Sequence, residues 1–101
     1  MNPVRLQLSR RKGFNLQAHS RAVNGLAAVN CARPGKWGNP FVVGQDGTAA
    51  ECVKKYRSSI IGYDWDEFAG LRMSNLACWC PPSSACHADV LLELANPDAF
   101  R

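Results

Sequence analysis

With 101 residues, 47% of them apolar and 20% charged, the chain is long enough for one hydrophobic core and too short for two, and its composition excludes a disordered or fibrous protein. The net charge of +4 favours anionic partners, and it is unevenly spread: Arg5, Arg10, Arg11, Lys12, Arg21, Arg33 and Lys36 all precede the first acid, Asp46. No run is apolar enough to span a bilayer, the N-terminal residues lack a signal-peptide core, and the odd count of five cysteines argues against a disulfide framework, so a single cytoplasmic domain over 1–101 with no membrane partner is expected.

Val4, Leu6 and Leu8 alternate with Arg5, Gln7 and Ser9, the period of a half-buried strand that the basic cluster Arg10, Arg11, Lys12 and then Gly13 end. Residues 13–25 show no clean period and read as a long loop. Residues 27–31 form a short apolar second strand, followed by Arg33 to Phe41, dense in turn formers such as Pro34 and Pro40. Val42 and Val43 suggest a brief extended piece before a turn over 44–47.

Thr48 with Glu51 three residues later is a capping box, and Cys52, Val53, Tyr56 and Ile60 give the helix behind it a buried stripe until Gly62. Asp64 and Glu67 repeat the pattern for a short helix through Trp65, Phe68 and Leu71. The last strand, Leu76 to Cys80, is apolar on both faces, as a central strand covered by helices must be. Pro81 and Pro82 end it. Ser83 or Ser84 caps a last helix with Val90, Leu91 and Leu94 buried, which Pro97 closes. This order predicts a small Rossmann-like α/β sandwich with a short, mostly parallel sheet flanked by helices, whose ligand crevice lies beyond the carboxyl ends of the strands.

Two stretches concentrate chemistry. Cys78, Cys80, Cys86 and His87 are donors of the kinds zinc accepts, in a C-x-C-x5-C-H pattern, yet cysteines on a central strand are also good packing residues, so no cofactor is expected and zinc on these four is the alternative. A helix start near Cys86 and His87 attracts anions and lowers a thiol's pKa, and Asp89 stands close enough to orient His87 or to act as a base. In the second stretch, Trp37 and Phe41 are placed to stack on a base, Asn39 to read its edge, and Arg33 and Lys36 to contact phosphate.

Residues 33–41 and 75–96 together closely resemble the bacterial and phage domain of unknown function 4326 family, and the opening from Val4 to Gly13 is similar to it as well. A fainter likeness is to the uracil-DNA glycosylase superfamily, α/β enzymes with an Asn and an aromatic beside a proline in an early loop and a histidine in a later one; Asn39, Pro40, Phe41 and His87 match those places. That likeness implies an N-glycosylase-type hydrolase acting on a modified base in DNA or on a nucleotide. Trp37 and Phe41 would stack on the base with Cys86 beside it, and Asn39 would read it or place water. His87 would stabilise the departing base and Asp89 the sugar's positive charge, while Arg10, Arg11, Lys12, Arg33 and Lys36 bind phosphates. The alternatives are a non-catalytic nucleotide- or nucleic-acid-binding module and a small structural zinc protein.

Overall fold

The computed structural model describes residues 2–33, 35–81 and 83–97, without the side chain of Trp65. The turn assignments of Pro34 and Pro82 and the packing expected of Trp65 therefore lie outside the described residues. Eight elements follow in order: β1 (Arg5–Gln7), α1 (Leu16–Asn24), β2 (Ala28–Asn30), α2 (Ala49–Ile60), α3 (Trp65–Phe68), a 3-10 turn (Ala69–Leu71), β3 (Asn75–Cys78) and α4 (His87–Ala95). The sheet runs β1-β3-β2, with β3 in the centre and parallel to both neighbours, Leu6 opposite Ala77 and Val29 opposite Leu76. This is the expected small α/β fold with a parallel sheet. No helix among the described residues is long and apolar enough to cross a membrane.

Side-chain alternation along β3 divides the core. Leu76 and Cys78 join the large cluster with Tyr56, Ile60, Phe68 and Leu91 from the helical side, whereas Ala77 meets Leu6, Leu8 and Ala28, with Leu16 of α1 against them. Burying a side chain such as Leu91 completely contributes roughly 2 kcal/mol, so the larger cluster carries most of the hydrophobic stabilisation. On α2 the capping box is formed in both directions, Glu51 N–H to Thr48 Oγ1 at 3.2 Å and Thr48 N–H to Glu51 Oε1 at 3.0 Å, and Cys52, Tyr56 and Ile60 are its buried stripe.

The structure departs from the sequence reading at five places. Residues 16–24 are a helix and not a loop: Asn15 caps it by accepting from Ala18 N–H, Gly25 ends it at φ 80°, and its buried position is the polar Ser20, so no apolar period betrays it. Val42 and Val43 lie in a turn, because Asp46 returns to bond the Val42 backbone through both its carboxylate and its N–H. The short helix α3 lacks a side-chain cap from Asp64. The central strand ends at Cys78, where its last pairings are Leu8 N–H to Cys78 O and Cys31 N–H to Ala77 O, and Trp79 beyond them is 44% exposed. Finally, α4 starts at His87 with Cys86 as its unbonded N-cap, since Arg5 holds the carbonyls of Pro81 and Ser84 and keeps the chain before Cys86 in a turn; within α4 Leu92 takes the fully buried place expected of Leu94.

Candidate functional site

A pocket of about 350 Å³ opens beyond the carboxyl ends of β2 and β3. Its floor is Cys78, Cys80, Cys86 and His87, its wall Arg33, Asn39 and Phe41, and its rim includes Trp79 and Val43. The wall is aimed by tight turns: Gly35 N–H bonds Ala32 O, Gly38 N–H bonds Gly35 O, and a Cβ on Gly38 would lie 2.8 Å from the Arg33 Cα, so only glycine lets the loop fold back here. Asn39 Oδ1 then accepts the Phe41 N–H at 2.9 Å, which leaves its Nδ2 without a partner among the described residues.

The sulfur atoms of Cys78, Cys80 and Cys86 all lie within 4.8 Å of one another, close enough to share a metal ion. Cys78 and Cys86 are nearest, at 2.7 Å. The hydrogen bond from Cys86 holds the Cys78 thiol below its usual range despite burial, and the same bond together with burial pushes Cys86 up to about 12. Burial raises Cys80 as well. Cys31, outside the cluster, is pushed up to about 12 by burial and packs as an inert core thiol, as expected.

His87 lines the pocket but is only 6% exposed and is already engaged. Its Nε2–H donates to the Cys31 carbonyl at 2.6 Å, Nδ1 stands 3.7 Å from Cys86 Sγ, and the ring meets Tyr56 edge-on at 5.0 Å. Asp89 does not enter the pocket. Its carboxylate pairs at 2.9 Å with Arg5, whose side chain is almost buried between strand β1 and the turn before α4. Asn39, His87 and Asp89 are thus not one constellation: two line the same pocket, on its wall and its floor, and the third braces the fold.

The expected base stackers separate too. Phe41 is on the pocket wall, but Trp37 stacks on Phe68 at 5.7 Å, and its carbonyl takes the Tyr56 hydroxyl, so Trp37 is half-buried against the core and outside the pocket lining. Lys36 leaves with it, over the Trp37 ring and paired with Glu67 at 2.9 Å. Of the expected phosphate contacts, Arg33 is at the wall. Arg10 lies with its guanidinium 4.7 Å from the centre of the Trp79 ring, and exposed Arg11 and Lys12 follow it without an ion pair among the described residues.

Trp79 is the functional candidate that the sequence reading missed. Placed on a strand with two covered faces, it reads as core; only the end of pairing at Cys78 turns it out to the pocket rim. Cys52, read as an ordinary core residue, also reaches the pocket.

No curated protein and no solved structure matches the chain significantly. The uracil-DNA glycosylase likeness accordingly has no counterpart among the matches. The family described as Domain of unknown function (DUF4326) matches residues 14–97, a span from α1 through α4 that leaves the opening strand outside but holds the Arg33 loop and the whole cysteine cluster, and the chain belongs to that family.

Proposed function

We propose that the domain binds single-stranded nucleic acid, with one base drawn into the pocket and the next stacked at its rim. The observation that carries this is Trp79: exposed at the mouth of the pocket, topped by Arg10, with the next residues after Arg10, exposed Arg11 and Lys12, making no ion pair among the described residues. An aromatic ring beside a run of cations is what a stacked base and its flanking phosphates require. Phe41 and the Asn39 Nδ2, unpartnered among the described residues, supply a face and an edge donor for the base within. The cofactor we include in this reading is zinc on the three thiols of the floor, an ion that sulfur donors suit and that brings no redox demand.

Hydrolysis of the N-glycosidic bond would ask His87 to reach the base and Asp89 the sugar. Cys31 holds the first and Arg5 the second, so binding is the reading put forward. Fluorescence anisotropy of labelled single strands, duplexes and mononucleotides checks it: the single strand should bind most tightly and weaken steeply with salt, and equal or absent binding at low salt would refute it. The same strands, carrying modified bases and treated with alkali after incubation, should stay intact; breaks at the modified base would restore the hydrolase.

A further inference from the structure

We infer that Cys78, Cys80 and Cys86 form an open metal centre, in which the three thiolates fill three positions and the fourth faces the pocket, to be closed by a ring nitrogen of the bound base. This rests on the zinc of the reading above and says what that zinc does.

Three sulfurs converge from three different backbone settings: the last residue of β3, the bend after it, and the N-cap of α4. Tetrahedral zinc with bonds near 2.3 Å sets its sulfurs about 3.8 Å apart, inside the span the cluster already has, and the closest pair, Cys78 and Cys86, would need to open by about 1 Å. Side-chain rotation of two thiols supplies that. Three thiolates on a dication leave one negative charge, and Arg5, bonded to the carbonyls of Pro81 and Ser84 in the turn between Cys80 and Cys86, is a cation close by that also pairs with Asp89.

A closed structural site needs a fourth protein ligand, and the described residues offer none. His87, the expected fourth, does not join the cluster: Nε2 is spent on the Cys31 carbonyl at 2.6 Å, and Nδ1, though 3.7 Å from Cys86 Sγ, is not within 4.8 Å of all three sulfurs. Cys31 and Cys52 turn their thiols to the carbonyls of Val29 and Gly47. No other His, Cys, Asp or Glu among the described residues stands within the cluster.

All three thiols line the same pocket, so the uncovered side of an ion held by them is the side a ligand approaches. Three sulfurs donate much charge and make the metal a soft, weak Lewis acid. That favours a neutral aromatic nitrogen over a carboxylate or phosphate oxygen. Such a nitrogen is carried by the base that Phe41 and Asn39 would flank.

Cobalt(II) replaces zinc and reports its ligands by colour, so the reduced protein is titrated with cobalt and then with imidazole, a neutral ring-nitrogen donor small enough for the pocket. One cobalt per chain is expected, with a thiolate charge-transfer band and intense visible bands, and imidazole should shift the visible bands saturably. Cys80→Ser, at the least buried of the three thiols, should weaken cobalt by about 100-fold or more, while His87→Gln, which keeps a donor for the Cys31 carbonyl, should retain both bands. Bands that imidazole leaves unmoved, or that His87→Gln abolishes, would mean a closed centre and end this inference while leaving zinc in place. No uptake of cobalt or zinc, or a Cys78–Cys86 disulfide in protein isolated under reducing conditions, would remove the metal itself, whatever the oligonucleotide binding shows.

Discussion

The imidazole of His87 donates to the backbone carbonyl of Cys31 at 2.6 Å, tying the first residue of α4 to the end of β2 across the mouth of the sheet. Both groups are buried, so neither regains water's hydrogen bond if its partner is lost. His87→Ala should therefore cost about 1–3 kcal/mol from the stranded carbonyl, with more from the lost contact to Tyr56. His87→Gln should cost less. Urea unfolding of the two variants checks this, and equal stability of His87→Ala and the parent would show that the ring is kept for chemistry and not for the fold.

Asn75 is the polar counterpart on the other side of β3. Fully buried, it donates to Ser20 Oγ and Asn24 Oδ1, each at 2.7 Å, and accepts from Val4 N–H and Asn24 Nδ2, each at 2.9 Å. One amide thus fastens α1 and the start of β1 to the central strand, with all four of its bonds made. Asn75→Ala strands several of these groups at once, and a loss of about 3 kcal/mol or more is expected, larger than for Ser20→Ala, which frees one N–H of Asn75 and the Leu26 carbonyl. Calorimetric or urea melts of both variants measure the difference; a smaller loss for Asn75→Ala than for Ser20→Ala would disprove the central role given to the amide.

That network also explains what the sequence hid. Apolar period and cap residues made α2 plain, and the two-sided apolar character of residues 76–78 marked a central parallel strand, because those signals are local. Helix α1 buries Ser20 and leans on Asn24 and Asn75, so its inner face carries hydrogen bonds where a period search looks for hydrocarbon. Its caps, Asn15 and Gly25, were read as part of the loop. Phe41, Asn39, Arg33, Cys86 and His87, singled out by residue type, line the pocket, but Trp37 and Trp79 traded places: the loop tryptophan packs on Phe68 and the strand tryptophan meets solvent. Neither exchange has a local cause. One follows from where three strands stop pairing, the other from a helix that arrives from later in the chain.

Thr48 and Glu51 cap α2 reciprocally, and the backbone N–H and then the side chain of Thr48 hold the Glu51 carboxyl below its ordinary range. Thr48→Ala removes an N-cap, for which a loss of about 1 kcal/mol is expected. A depressed folded-state pKa gives stability that is present above the unfolded carboxyl value and lost as pH falls through the folded one. The penalty of Thr48→Ala should therefore be largest near neutrality and shrink in acid as Glu51 protonates in both proteins. Denaturant titrations at neutral pH and at pH values below the ordinary carboxyl range read this directly, and a penalty that grows in acid would contradict the capping box.

Trp79 offers the sharpest separation of function from fold. Its ring is exposed, the Arg10 guanidinium lies over it at 4.7 Å, and removing it leaves no unpaired buried group. Trp79→Ala should consequently leave the unfolding midpoint nearly unchanged. If a base stacks on that ring, the loss of about 1–3 kcal/mol per stacked base translates into single-strand binding weaker by roughly 10-fold or more, with the salt dependence intact, since no phosphate contact is removed. Lys12→Ala should behave oppositely, weakening binding of all sequences alike and lowering the slope of log affinity against log salt by about 0.7, the share of one single-strand phosphate. Anisotropy titrations of both variants at several salt concentrations distinguish the two effects. Unchanged affinity in Trp79→Ala would place the nucleic acid elsewhere on the basic surface, and an unchanged slope in Lys12→Ala would take that cation out of the contact.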